Sequence, residues 1–97
     1  MAIYKRPAAE EDLISIWLYI ATDNDVAADK LLDRIDEALA LLVGNPHAGR
    51  SRPELGASIR SFVVGRYSLF YGVVDGSVEL YRVIHSARDI GSDTFDD

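Results

Sequence analysis

Cysteine is absent from this 97-residue chain, which excludes disulfide bridges and thiol catalysis and removes the soft ligands of a structural zinc site. Histidine is scarce as well. His47 and His85 lie far apart, with no spacing that suggests a metal pair. No apolar run approaches the roughly 20 residues that a membrane span needs. The N-terminal stretch MAIYKRPAAEEDL has no apolar core of the kind a signal peptide carries. These absences predict a soluble cytoplasmic protein with no membrane association. There is no Gly-rich phosphate loop, no pair of catalytic carboxylates, no nucleophile elbow, no internal repeat and no low-complexity segment. No cofactor or metal is expected, and by chemistry alone the chain reads as an interaction protein.

What is present is enough apolar residue, 48%, for one packed domain spanning residues 1–97. A domain of this size buries only about two-thirds of its unfolded surface, so its stability is sensitive to a partner. The formal charge of −6 argues against a nucleic-acid binder, because phosphate contacts need a positive surface. The average hides a split. Glu10, Glu11, Asp12, Asp23, Asp25, Asp29, Asp33, Asp36 and Glu37 crowd the first half, whereas the interval from Arg50 to Arg88 holds Arg50, Arg52, Arg60, Arg66, Arg82 and Arg88 against Glu54, Asp75 and Glu79. The segment from Arg60 to Asp89 is therefore a basic, aromatic reversal of the global charge. An acidic half and a basic half within one small domain suit protein contacts better than a groove that tracks a phosphate backbone.

Local patterns predict an α+β order. Ala2–Arg6 is a short strand. Pro7 stands where a first helical turn tolerates it, and Glu10, Glu11 and Asp12 suit the positive end of a helix. Leu13, Ile16, Trp17 and Ile20 give that helix, over about 8–22, one apolar stripe. Thr22-Asp23-Asn24-Asp25 is a turn that offers N-caps. A second helix over about 26–43 carries Ala28, Leu31, Leu32, Ile35, Leu39 and Leu42, with Gly44 as an expected left-handed C-cap before Pro46. The two form an antiparallel helical hairpin. Asn45–Ser58 reads as a surface loop with one turn of helix near Pro53–Gly56. Strands then follow over Ile59–Val64, Tyr67–Val74 and Val78–His85, the last two joined by Asp75-Gly76, a strong hairpin signal. The expectation is a three-stranded antiparallel meander that takes the first strand inside it. Helices cover one face, the other stays aromatic and arginine-bearing, and Gly91–Asp97 frays.

The arginines read in two ways: as a patch for phosphate or acidic protein groups, or as ion-pair partners of Glu79, Asp75 and the acidic helices. Alternation allows Arg60 and Arg82 on one sheet face. His85 is either a general acid–base group or a strand-end histidine bonding nearby backbone or Asp89, and the second reading is the plainer. Tyr67, Phe70 and Tyr71 either stack on bases or pack as core, and strand aromatics are core by default. Arg50, Arg52 and Glu54 are either solvated or part of a contact surface. Asp12 and Tyr19 read simply as a first-turn acid and a rim residue.

Four segments together resemble the RelE/ParE superfamily of toxins from bacterial type II toxin–antitoxin systems, and its ParE branch in particular. They are PAAEEDLISIWLYI (Pro7–Ile20), NPHAGRSRPEL (Asn45–Leu55), RSFVVGRYSLFY (Arg60–Tyr71) and RVIHSARDI (Arg82–Ile90), covering nearly the whole chain in order. The resemblance implies a strand, a helical hairpin and an antiparallel sheet. It also implies a cognate ParD-like antitoxin whose C-terminal segment wraps the toxin in a hetero-oligomer. RelE-type members cut mRNA on the ribosome with clustered basic residues and a C-terminal His or Tyr; ParE-type members with known targets poison DNA gyrase by protein contact. Here the only lysines are Lys5 and Lys30, both expected outside the sheet, and no tyrosine follows Tyr81. The expected function is thus a non-enzymatic gyrase inhibitor without direct sequence-specific nucleic-acid binding. Its partner-binding candidates are Arg50, Arg52, Arg60, Arg66, Tyr67, Tyr71, Arg82 and Arg88. A RelE-like ribosome-dependent endoribonuclease using Arg60, Arg82 and His85 is the alternative.

Overall fold

The computed structural model describes residues 3–88 and 90–95. In chain order these form β1 (Ile3–Lys5), α1 (Pro7–Ala21), α2 (Asp25–Gly44), a 3₁₀ turn (Pro46–Ala48), β2 (Arg50–Ser51), β3 (Arg60–Val64), β4 (Tyr67–Val74), β5 (Ser77–His85) and a final 3₁₀ turn (Ser92–Phe95). The α+β class is as expected, but the sheet is larger and differently closed. It has five strands in the order β1-β5-β4-β3-β2. β1 does not enter the meander: it lies parallel to β5 on the outer edge, with Ile3 opposite Val78 and Lys5 opposite Leu80. Three consecutive hairpin-linked strands leave no gap between them, so a strand that precedes the helices has only an outer edge to join. Lys5 is therefore a sheet residue, with Nζ 3.5 Å from Asp36. Ala2, the first residue of the expected strand, lies outside the described residues.

The helical hairpin forms as its sequence dictates. Pro7 opens α1 and Glu10 sits in its first turn. Asn24 caps α2 by accepting the Ala27 N–H at 3.1 Å. The Trp17 indole N–H donates to Asp29 at 2.8 Å and ties the helices together. Gly44 ends α2, but not in a left-handed conformation; among the described residues only Asp75, Gly65 and Gly76 have positive φ. Pro46 holds the preceding residue extended, so Asn45 (φ −138°) is the cap and donates its N–H to Leu41.

The core has two sides. α2 buries Ile35, Leu39 and Leu42 against Leu69, Tyr71, Val78, Leu80 and Val83 of the sheet. On α1 only Ala9 is fully buried; Leu13 and Ile16 pack as partly buried residues. The opposite sheet face, expected to stay open, is closed. Phe70 and Ile84 are buried there with Leu55 and Ile59, and Phe95 packs its ring 5.4 Å from that of Phe70. The tail is thus folded onto the sheet through Phe95 rather than frayed; Asp96 and Asp97 lie outside the described residues. Burial on both faces explains the apolar run Leu69-Phe70-Tyr71 in β4. Asp75 and Gly76 join β4 to β5 with φ of 51° and 78°, the double positive φ of a type I′ turn.

Asn45–Ser58 is more than a loop. Arg50 and Ser51 pair with Ser61 and Arg60 as a fifth strand. Tyr71 fixes this crossing: its hydroxyl donates to Pro46 O at 2.6 Å and accepts the Gly49 N–H at 2.9 Å. A Cβ at Gly49 would overlap the Tyr71 ring, so the close approach requires glycine.

The register of β4 against β5 shifts between Phe70 and Tyr71: Phe70 faces Arg82, whereas Tyr71 faces Leu80. Tyr81 is the extra residue of this bulge, and both Arg82 and Val83 can then serve the helix side. β1 stops opposite Leu80, which leaves the outward Val83 N–H without a strand partner. Asp12 of α1 supplies the acceptor. Its Oδ2 takes the Val83 N–H at 3.0 Å and Arg82 Nε at 2.7 Å, and its Oδ1 takes Arg82 Nη2 at 3.0 Å. Asp12, expected in the first turn of α1, lies in its second turn, behind Glu10, and is a clasp between helix and sheet.

Asp12→Ala should lower unfolding stability by about 2–3 kcal/mol, since it takes a bidentate carboxylate from a half-buried guanidinium and the acceptor from a backbone donor; urea unfolding reads the loss, and hydrogen exchange should quicken at the Val83 amide. Tyr71→Phe should cost about 1–3 kcal/mol. Burial raises the Tyr71 phenol above 10.0, so above that pH the unfolded chain releases its proton first and stability falls as pH rises. Urea midpoints measured across that range should decline less steeply in Tyr71→Phe than in the parent.

Candidate functional site

A groove of about 810 Å³ opens where the tip of the helical hairpin meets the β3–β4 turn and the end of β5. Ile20 of α1 with Ala27 and Leu31 of α2 give it an apolar floor, while Tyr19, Arg34, Arg66, Tyr67 and His85 complete its walls. The turn is what brings the cations in. Gly65 takes φ +60°, and a Cβ built there would stand 3.4 Å from Arg34 Nη1, so the Arg34 guanidinium lies against the turn that carries Arg66. Neither arginine has a carboxylate partner among the described residues. Two uncompensated guanidiniums over an apolar floor, on a chain of charge −6, make a local field that favours an acidic, amphipathic segment. α1 extends the apolar surface: Ile14 and Leu18, one turn apart, are 61% and 57% exposed, and Tyr19 is 78% exposed. α1 thus carries a second stripe that the fold leaves uncovered.

Only some of the sequence-derived candidates meet here. Arg66, Tyr67 and His85 do. The His85 and Tyr67 rings pack edge to face at 5.3 Å, and His85 Nδ1 accepts the Ala87 N–H at 3.1 Å, so backbone is its partner; Asp89 lies outside the described residues. Ser86 N–H donates to Arg66 O at 2.8 Å and fixes the turn to the end of β5. Arg52 lies on the other face, donating to Glu54 at 2.7 Å and standing 5.7 Å above the Phe70 ring. Arg88 is exposed beyond β5, and Arg50 is exposed on β2. Tyr71 is fully buried. Arg60 and Arg82 both serve the helix side of the sheet, yet β4 separates their strands. Arg60 donates to Gly49 O at 2.8 Å, and Arg82 is held on Asp12.

Two residues escape a reading by motif. Asp12 meets partners about 70 positions away, and nothing local announces them. Arg34 did leave a signal, as the single arginine among the acids of the helical hairpin. Among the described residues no cluster of His, Cys, Asp and Glu could hold a metal ion, and no helix is long and apolar enough to cross a membrane.

Comparison with solved structures finds the same architecture in a chain described as the chromosomal ParDE TA system from P. aeruginosa. The TM-score is 0.71 at 23% sequence identity, over 88% of this chain and 95% of that one, which shows a shared fold. Comparison with curated protein sequences yields no match. The family model described as ParE toxin of type II toxin-antitoxin system, parDE, matches residues 3–90. That span runs from β1 through the clasp and the groove to the end of the sheet, and the chain belongs to the ParE family of type II toxins.

Proposed function

We propose that the protein is a toxin that inhibits DNA gyrase by protein–protein contact, without catalysis, in the cytoplasm, and that a ParD-like antitoxin neutralises it in a hetero-oligomeric complex. The family supports the toxin role. The observation that carries the non-catalytic reading is the engagement of Arg82: its guanidinium forms a bidentate pair with Asp12, and in that pose it is a structural cation. Arg60 is turned toward Gly49 on a different strand, and His85 uses Nδ1 on its own backbone. A net charge of −6 opposes entry into a phosphate-lined ribosomal site.

The groove and the uncovered α1 stripe suit an amphipathic antitoxin segment, with aliphatic side chains on the floor and carboxylates on Arg34 and Arg66. The purified toxin, freed of antitoxin, should block supercoiling by gyrase or trap gyrase on cleaved DNA. Unaffected gyrase at saturating toxin would overturn the proposal, as would mRNA cleavage on programmed ribosomes that is lost in Arg82→Ala and His85→Ala. The double variant Arg34→Glu/Arg66→Glu should weaken antitoxin binding by about tenfold or more, roughly 1.4 kcal/mol. Calorimetry at two salt concentrations should also show a smaller salt dependence for the variant.

A further inference from the structure

At the end of the β3–β4 hairpin remote from the groove, a second pocket of about 240 Å³ lies under the Pro46–Ser51 crossing. Ser51 stands opposite Arg60 across β2–β3, and Arg60 opposite Tyr71 across β3–β4. Cross-strand pairs share a face, so Ser51 and Arg60 project to the same side. Ser58 and His47 add polar groups, and Ile59 and Val73 form the apolar wall.

Arginine burial in this chain follows a pattern that Arg60 breaks. Four arginines are half-buried: Arg6, Arg52, Arg60 and Arg82. Three of them hold a carboxylate, on Glu79, Glu54 and Asp12. Arg60 has none among the described residues. It spends one N–H on Gly49 O, which fixes the guanidinium but leaves its charge unmatched, and most of its donors remain. A half-buried cation without a counter-charge is costly unless something neutralises it. Neutral hydroxyls and a backbone oxygen do not.

We infer that the Arg60 pocket is a receptor for a carboxylate brought by a partner protein: an Asp or Glu side chain whose methylenes lie on Ile59 and Val73 while its oxygens meet Arg60, Ser51 and Ser58. The guanidinium fork matches a planar carboxylate in two parallel bonds, and the apolar wall gives no contact to the fourth oxygen of a phosphate. The site is separate from the groove, and the inference holds whichever protein supplies the side chain.

The test is an NMR titration of the intact toxin with N-acetyl-glutamate N-methylamide, its glutamine analogue, inorganic phosphate and chloride at matched ionic strength. Saturable shifts at the Ser51, Ser58 and Arg60 amides and at Arg60 Nε–H are expected with the glutamate probe and not with the glutamine analogue. Arg60→Gln should raise Kd by about tenfold or more. Ser58→Ala, at an exposed position that does not hold the fold, should raise it by a factor of about 2–5. Shifts that are unsaturable, that chloride reproduces, or that persist unchanged in Ser58→Ala and Arg60→Gln would overturn the inference. Tighter binding of phosphate than of the glutamate probe would overturn the carboxylate assignment.

Discussion

One carboxylate on α1 clasps that helix to an interrupted strand of the sheet. β5 has β4 on one side and β1 on the other, yet β1 stops short and the bulge opposite Phe70 breaks the ladder where β1 ends. Asp12 closes both defects by accepting from the Val83 backbone and from Arg82. Asp12 lies in the second turn of α1, behind Glu10, which takes the first-turn place that the helix dipole favours for an acid. Asp12 is instead the acceptor that lets an interrupted strand be buried. Helix α1 has only Ala9 fully buried, so this polar contact adds to the partial packing of Leu13 and Ile16.

Internal partners of this kind decide what the arginines can do. Arg6, Arg52 and Arg82 are half-buried and neutralised within the chain. Arg34 and Arg66 are exposed, line an apolar groove and have no carboxylate partner among the described residues; Arg60 is half-buried and likewise has none among them. Sorted by burial and partner, the basic segment stops being one patch. It becomes a set of internal braces plus two places, at opposite ends of the β3–β4 hairpin, where an external acid is electrostatically welcome. An acidic surface elsewhere repels a partner that arrives in another register.

Much of the architecture was legible because it is encoded locally. Helical periodicity, Pro7, the Asn24 cap and the Asp75-Gly76 turn each act within a few residues, so α1, α2 and the β4–β5 hairpin lie where the pattern puts them. The misses share the opposite property. The edge position of β1, the pairing of Arg50 and Ser51 and the bulge at Tyr81 are all matters of long-range register. Gly44 failed as a left-handed cap because Pro46, two residues on, constrains the chain more than glycine frees it. Phe95 packs on the sheet, although its acidic surroundings suggest a loose tail.

The sequence by itself determined both helices, the β3–β5 meander, the segregation of charge and the family, because propensity, turn chemistry and composition act over short spans. Which arginines are braces and which remain available was decided only by the tertiary structure. An ion pair depends on where two side chains meet in space, and Asp12 meets Arg82 across a separation of 70 residues. Arg34 lies against the Gly65 turn that carries Arg66. Arg60 meets no carboxylate among the described residues, a fact that no spacing in the sequence could carry.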